Sequence, residues 1–93
     1  MRFDEVFRTY WWAAVAAVTA QVGDLEVAED AVQDACAAAL AQWPAAGVPA
    51  NPGSWLIGTA RHKALDRLRR EHRRVAKEAE AVRERPAPTT NSA

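Results

Sequence analysis

Cysteine is almost absent from this 93-residue chain: Cys36 stands alone, so no internal disulfide can form and a reducing compartment is expected. Long hydrophobic runs are missing as well. Tyr10 to Val18 is wholly apolar but reaches only about half of the ~18 residues that a membrane span needs. Asp4 and Glu5 offset Arg2 and Arg8, where a secretory signal requires a positive start. We therefore expect a core helix in a cytoplasmic protein, with no membrane partner. Glycine is scarce, with four residues, and no glycine-rich phosphate loop, metal-ligand spacing or nucleophile motif occurs. His62 and His72 lie ten residues apart among arginines, a poor catalytic pair. The expectation is no enzyme, no catalytic residue, no cofactor and no metal.

What is abundant is alanine. It supplies much of the 49% hydrophobic fraction, buries little area, has the best helix propensity and lets helices approach closely. A chain of this size buries only roughly 60% of its unfolded surface, which limits it to one modest core. Phe3, Val6, Phe7, Tyr10, Trp11, Ala14, Val15 and Val18 recur at three- and four-residue steps, which predicts an amphipathic helix from about residue 3 to 21. Gly23 then supplies a stop and Asp24 a cap for the next helix. A connection this short makes the two helices antiparallel neighbours.

The second helix is expected from Leu25 to about Gln42, with Leu25, Ala28, Val32, Ala35, Ala39 and Trp43 as its apolar stripe. Three prolines and two glycines between Pro44 and Gly53 predict a stiff break without regular structure. Asn51 before Pro52 reads as an N-cap with proline at the first helical position. A third helix follows, with Ile57, Ala60, Ala64 and Leu68 buried and Trp55, Leu56 and Leu65 beside them. It remains helix-prone to Arg85. The fold class predicted is all-α: an antiparallel hairpin plus a long basic third helix. Residues 1–85 form the domain and 86–93 a disordered linker.

The formal net charge of zero conceals a division. Residues 1–47 carry two basic and seven acidic side chains, leaving −5; residues 48–93 carry ten basic and five acidic, leaving +5. Such a division predicts two partners of opposite charge or one basic face for nucleic acid, against a solubilising internal dipole. Seven positive groups fall between Arg61 and Arg74 against Asp66 and Glu71 alone. Arg67, Arg70 and Arg74 share one line of the helix with Lys63, and arginine forks suit phosphate. The bland account is a solvated face laced by pairs such as Asp66–Arg70 and Glu71–Arg74. Trp43 and Trp55 bracket the stiff loop. Positive grooves with aromatic platforms hold unstacked bases, whereas tryptophans at helix ends are more often core. We expect Trp43 in the core and Trp55 shared between core and nucleic-acid surface.

Two segments, Ala28-Glu29-Asp30-Ala31-Val32-Gln33-Asp34-Ala35 and, after the proline loop, Ser54-Trp55-Leu56-Ile57-Gly58-Thr59-Ala60-Arg61-His62-Lys63-Ala64-Leu65-Asp66-Arg67-Leu68-Arg69-Arg70, closely resemble region 2 of extracytoplasmic-function sigma factors. The resemblance covers about residues 3–75, and two separated motifs occur in order. It implies that Glu29, Asp30, Gln33 and Asp34 dock on the β′ coiled coil of core RNA polymerase. It implies also that the loop Gly47 to Gly53, with Val48, Ala50 and Asn51, captures a flipped base of the promoter −10 element on the non-template strand. Trp55, Arg61, His62, Lys63, Arg67, Arg70 and Arg74 would contact promoter DNA, and an anti-sigma factor is a further implied partner. Asparagine is usual in the family where this chain has His62, and a neutral histidine keeps the hydrogen-bonding capacity. No second region, which in the family reads the −35 element, follows in this sequence, so the expectation is an excised domain. The loop is similar to a subgroup with a long C-terminal extension. The acidic and basic groups are expected on opposite flanks. The alternative is a helical protein-interaction module without nucleic-acid specificity.

Overall fold

The structure, a computed structural model, describes residues 2–84. Three helices make up the described chain: α1 (Phe3–Val22), α2 (Leu25–Ala46) and α3 (Pro52–Glu84). The all-α bundle agrees with the composition. The expected linker at 86–93 lies outside the described residues.

Local signals set the helix ends. Gly23 adopts the left-handed conformation (φ 74°), and its N–H donates to the Thr19 carbonyl at 2.8 Å, closing α1 at a position that disfavours any residue with a Cβ. The Asp24 side chain then accepts from the Val27 N–H at 3.0 Å, satisfying one orphan donor at the start of α2. At the start of α3, Asn51 Oδ1 accepts from the Ser54 N–H at 3.1 Å, with Pro52 in the first turn, where its missing N–H costs nothing.

The expected break at residues 44–53 is shorter than predicted. α2 runs through Pro44 to Ala46, and Gly47 (φ 92°) ends it with an N–H to the Trp43 carbonyl at 2.8 Å. A proline in the last turn forfeits one backbone bond only. Trp43, whose helical backbone a following proline disfavours, is anchored by its ring, which is 2% exposed. The irregular stretch is thus Gly47 to Asn51.

The helices alternate in direction. Trp43 meets Trp55, and Asp30 meets Arg67, so α3 runs back along α2. Tyr10 of α1 touches the start of α3 at Gly53. Seven of the thirteen buried apolar residues are alanines: Ala14, Ala28, Ala31, Ala35, Ala39, Ala60 and Ala64. They bring the helix axes close, while Leu56, Val18 and Val32 are the largest side chains buried almost completely and Trp43 is 2% exposed. Two stripe assignments change. Leu25 is 54% exposed because it lies at the first residue of α2, past the reach of its neighbours. On α3, Leu56 is buried in place of Ile57, which is half-buried with Leu68. Every residue from Arg69 to Glu84 is exposed: α3, about 50 Å long at 1.5 Å per residue, outruns the hairpin it packs on.

Candidate nucleic-acid interface

The loop and the first turns of α3 form one end of the bundle. Trp43 lies beneath them, with Phe3 edge-on at 5.7 Å, Phe7 tilted at 5.7 Å and Trp55 edge-on at 5.2 Å. Edge-to-face arrangements suit the ring quadrupoles, and this cluster ties all three helices to the base of the loop. Trp55 is half-buried, so one part of the indole packs on Trp43 and the rest faces out. Val48 is half-buried and packs against the core, which fixes the loop from within. Ala50 and Asn51 are exposed. The Asn51 Oδ1 is engaged as the cap of α3, which leaves its amide nitrogen as the group for an outside acceptor.

Along α3, Arg61 and His62 are exposed and Lys63 is half-buried. Arg67 donates to Asp30 Oδ2 at 2.6 Å across to α2. That hydrogen bond, ahead of the attraction of Asp30, Glu26 and Asp24, raises the Arg67 pKa above the ordinary arginine value. Arg70 lies 3.9 Å from Asp66. Arg74 holds both Glu71 and Glu78, chiefly through its hydrogen bond to Glu71, and its pKa is raised accordingly. All these pairs are exposed and salt-screened, so they add little stability and exchange partners readily.

The acidic surface is on α2. Gln33 and Asp34 are exposed, Glu29 and Asp30 half-buried. The expectation of opposite flanks is corrected here: the 2.6 Å Asp30–Arg67 pair joins the acidic face of α2 to the basic row of α3, so the two surfaces adjoin. Helical geometry explains it. Lys63, Arg67, Arg70 and Arg74 occupy one row at three- and four-residue steps, and at Arg67 that row borders α2. Sequence reading also passed over Leu40, 54% exposed, which is in line with Gln33 and Ala37 at four- and three-residue steps on the same face. Its i+7 spacing from Gln33 was the available signal.

Residues 6–74 match the sigma-70 region 2 family. The chain belongs to that family. Sigma-70 region 2 is a non-catalytic part of transcription initiation factors, concerned with RNA polymerase binding and promoter recognition. The chain is also similar to an uncharacterized protein of Rhizobium meliloti (strain 1021), at 40% identity over 63 residues, which is 68% of this chain and 15% of that protein. The chain thus spans about 15% of the length of that relative. No solved structure matches it. The region 2 span includes the α2 acidic motif, the loop, Trp55 and the basic part of α3 through Arg74, six residues beyond Leu68, after which every described residue of α3 is exposed. Among the described residues, no helix of this region 2 chain is long and apolar enough to cross a membrane.

Proposed function

We propose that the chain is the promoter-melting domain of an extracytoplasmic-function sigma factor and acts in the cytoplasm. Glu29, Asp30, Gln33 and Asp34 dock on the β′ coiled coil of core RNA polymerase. The loop with Val48, Ala50 and Asn51 receives a flipped base of the non-template −10 strand, and Trp55, Arg61, His62, Lys63, Arg67, Arg70 and Arg74 hold the adjoining DNA. An anti-sigma factor is a further partner. The observation that carries this reading is the region 2 match across residues 6–74, which spans an acidic α2 face, an aromatic-floored loop and a basic α3 in one body.

No covalent step is involved. Extruding a base costs a few kcal/mol of stacking. Pocket contacts and phosphate neutralisation offset that cost, so the open strand is captured selectively while polymerase holds the promoter in place. Without polymerase, binding to duplex DNA is weak, and nanomolar binding of duplex by the chain alone contradicts the proposal.

The test separates the two surfaces. Fluorescence anisotropy with non-template-strand oligonucleotides runs beside a pull-down on the β′ coiled coil. Gln33→Ala with Asp34→Ala abolishes the pull-down and leaves oligonucleotide affinity within about twofold of wild type. Arg61→Gln with Lys63→Gln does the reverse, with the log–log salt slope reduced by about 1.4, from ~0.7 for each lost phosphate contact on single strands. Asp30 is left intact because its bond to Arg67 would perturb both surfaces at once. If the two double variants act alike, or if no oligonucleotide is preferred over another, the domain is a protein-interaction module and the assignment fails.

A further inference from the structure

Between Ala64 and Val75 the arginines of α3 divide into two sets; spacing within the helix names the Asp66–Arg70 and Glu71–Arg74 pairs, and the packing of α2 adds Arg67–Asp30. Arg67, Arg70 and Arg74 each have a carboxylate within 4.0 Å. Arg69 and Arg73 have none among the described residues. Both are exposed, and they rim a groove floored by Leu65 and Leu68 with His72 beside it. Arg73 also borders a second groove lined by Arg70, Arg74 and Lys77, so it joins the apolar groove to a cluster of positive groups.

We propose that Arg69 and Arg73, over the Leu65–Leu68 floor, form a track for the sugar–phosphate backbone of nucleic acid, and that this track contributes more to binding than the carboxylate-paired arginines. The inference rests on the reading of the domain as a DNA-binding one and adds which face of α3 the strand follows. Three observations argue for it. An unpaired guanidinium gains its whole interaction with a phosphate, whereas Arg70 or Arg74 gains only the difference between phosphate and the carboxylate it releases. Arg69 and Arg73 are four residues apart, about 6 Å along the axis, within reach of nearby charges on a strand that carries one every ~3.4 Å. An apolar floor is no use to a small anion, but it accepts sugar and base faces, the combination found in single-strand channels. The track is also continuous with the loop end: His62 and Trp55 precede Arg69 at seven-residue steps, two turns each on the same face.

The test uses the 93-residue chain and a labelled mixed-sequence single-stranded DNA, titrated by anisotropy over a range of salt. Two variants remove equal charge from the same helix: Arg69→Gln with Arg73→Gln, and Arg70→Gln with Arg74→Gln. Circular dichroism checks the helix in both. The Arg69/Arg73 variant loses about 1.4 from the salt slope and about tenfold in affinity near 0.1 M salt, and the Arg70/Arg74 variant loses less than half as much. Equal losses, or a larger loss for Arg70/Arg74, overturn the track. So does a poly-glutamate competitor that displaces DNA as effectively as DNA of equal charge, since the groove is then a general anion patch. A wild-type chain that binds no oligonucleotide at any salt sinks the DNA-binding reading itself, and this inference with it.

Discussion

At Gly53 the absence of a side chain is a packing requirement. A Cβ there would lie 2.7 Å from Cδ1 and Cε1 of Tyr10, closer than real carbon contacts allow. Gly58, one and a half turns along α3, has nothing within 4 Å. The same substitution should therefore have opposite signs at the two sites. Gly58→Ala gains about 0.8–1 kcal/mol from helix propensity. Gly53→Ala has the same propensity gain, but overpacking costs about 1–3 kcal/mol, so it destabilises by roughly 1 kcal/mol. Urea unfolding of the two variants decides this, and stabilisation at both positions would mean that Tyr10 does not hold its place. Cys36 makes a second prediction at this scale. It is half-buried, and burial raises its thiol pKa. The folded thiol stays protonated where an unfolded one ionises, so iodoacetamide at mildly alkaline pH should modify native chain several times more slowly than urea-unfolded chain. By linkage, the thiol's contribution to stability is intact below the unfolded thiol pKa and is lost as pH rises through the folded one.

At the scale of elements, α3 is two helices in one. Its first half is fixed by Leu56, Ala60 and Ala64 in the core; the half after Leu68 has no buried residue. Val75 and Val82 are 53% and 64% exposed there. A helical stretch of 12–15 residues without tertiary packing is marginal in water, and among the described residues the exposed pairs of Arg70 with Asp66 and of Arg74 with Glu71 and Glu78 brace it. Amide hydrogen exchange should then show residues 73–84 opening locally, at least a hundredfold faster than 56–68, whose exchange follows global unfolding. Uniform protection along all of α3 would refute this division.

For the whole molecule, Trp43 is the residue on which cooperativity depends. It joins Phe3 and Phe7 of α1 to Trp55 of α3 in a core otherwise made mostly of alanine and valine. Truncating a buried tryptophan to alanine costs about 3–5 kcal/mol, a large part of the ~5–15 kcal/mol available to a small domain. Trp43→Ala should lose cooperative thermal unfolding measured by circular dichroism. Trp43→Phe should retain it. The indole Nε1 is buried without a hydrogen-bond partner, so the phenyl ring gives up bulk but also removes an unsatisfied donor. The charge division is likewise a property of the whole: acids on α2 and arginines on α3 are neighbours, tied at Asp30–Arg67.

The sequence by itself determined the three helices, their antiparallel hairpin, both N-caps and the burial of Trp43, because capping chemistry and a 3.6-residue period act within a few residues of one another. It also carried the two motifs by which region 2 is recognised. Only the tertiary structure decided that α2 continues through Pro44, since the energy that holds that turn comes from aromatic rings on other helices. The same holds for Leu56 being buried where Ile57 is not, and for Leu25 at the rim. Helical spacing ranked the arginines by row. It also named the Asp66–Arg70 and Glu71–Arg74 pairs, but that Arg67 holds Asp30 depended on where a second helix lies alongside, and no periodicity within α3 contains that distance.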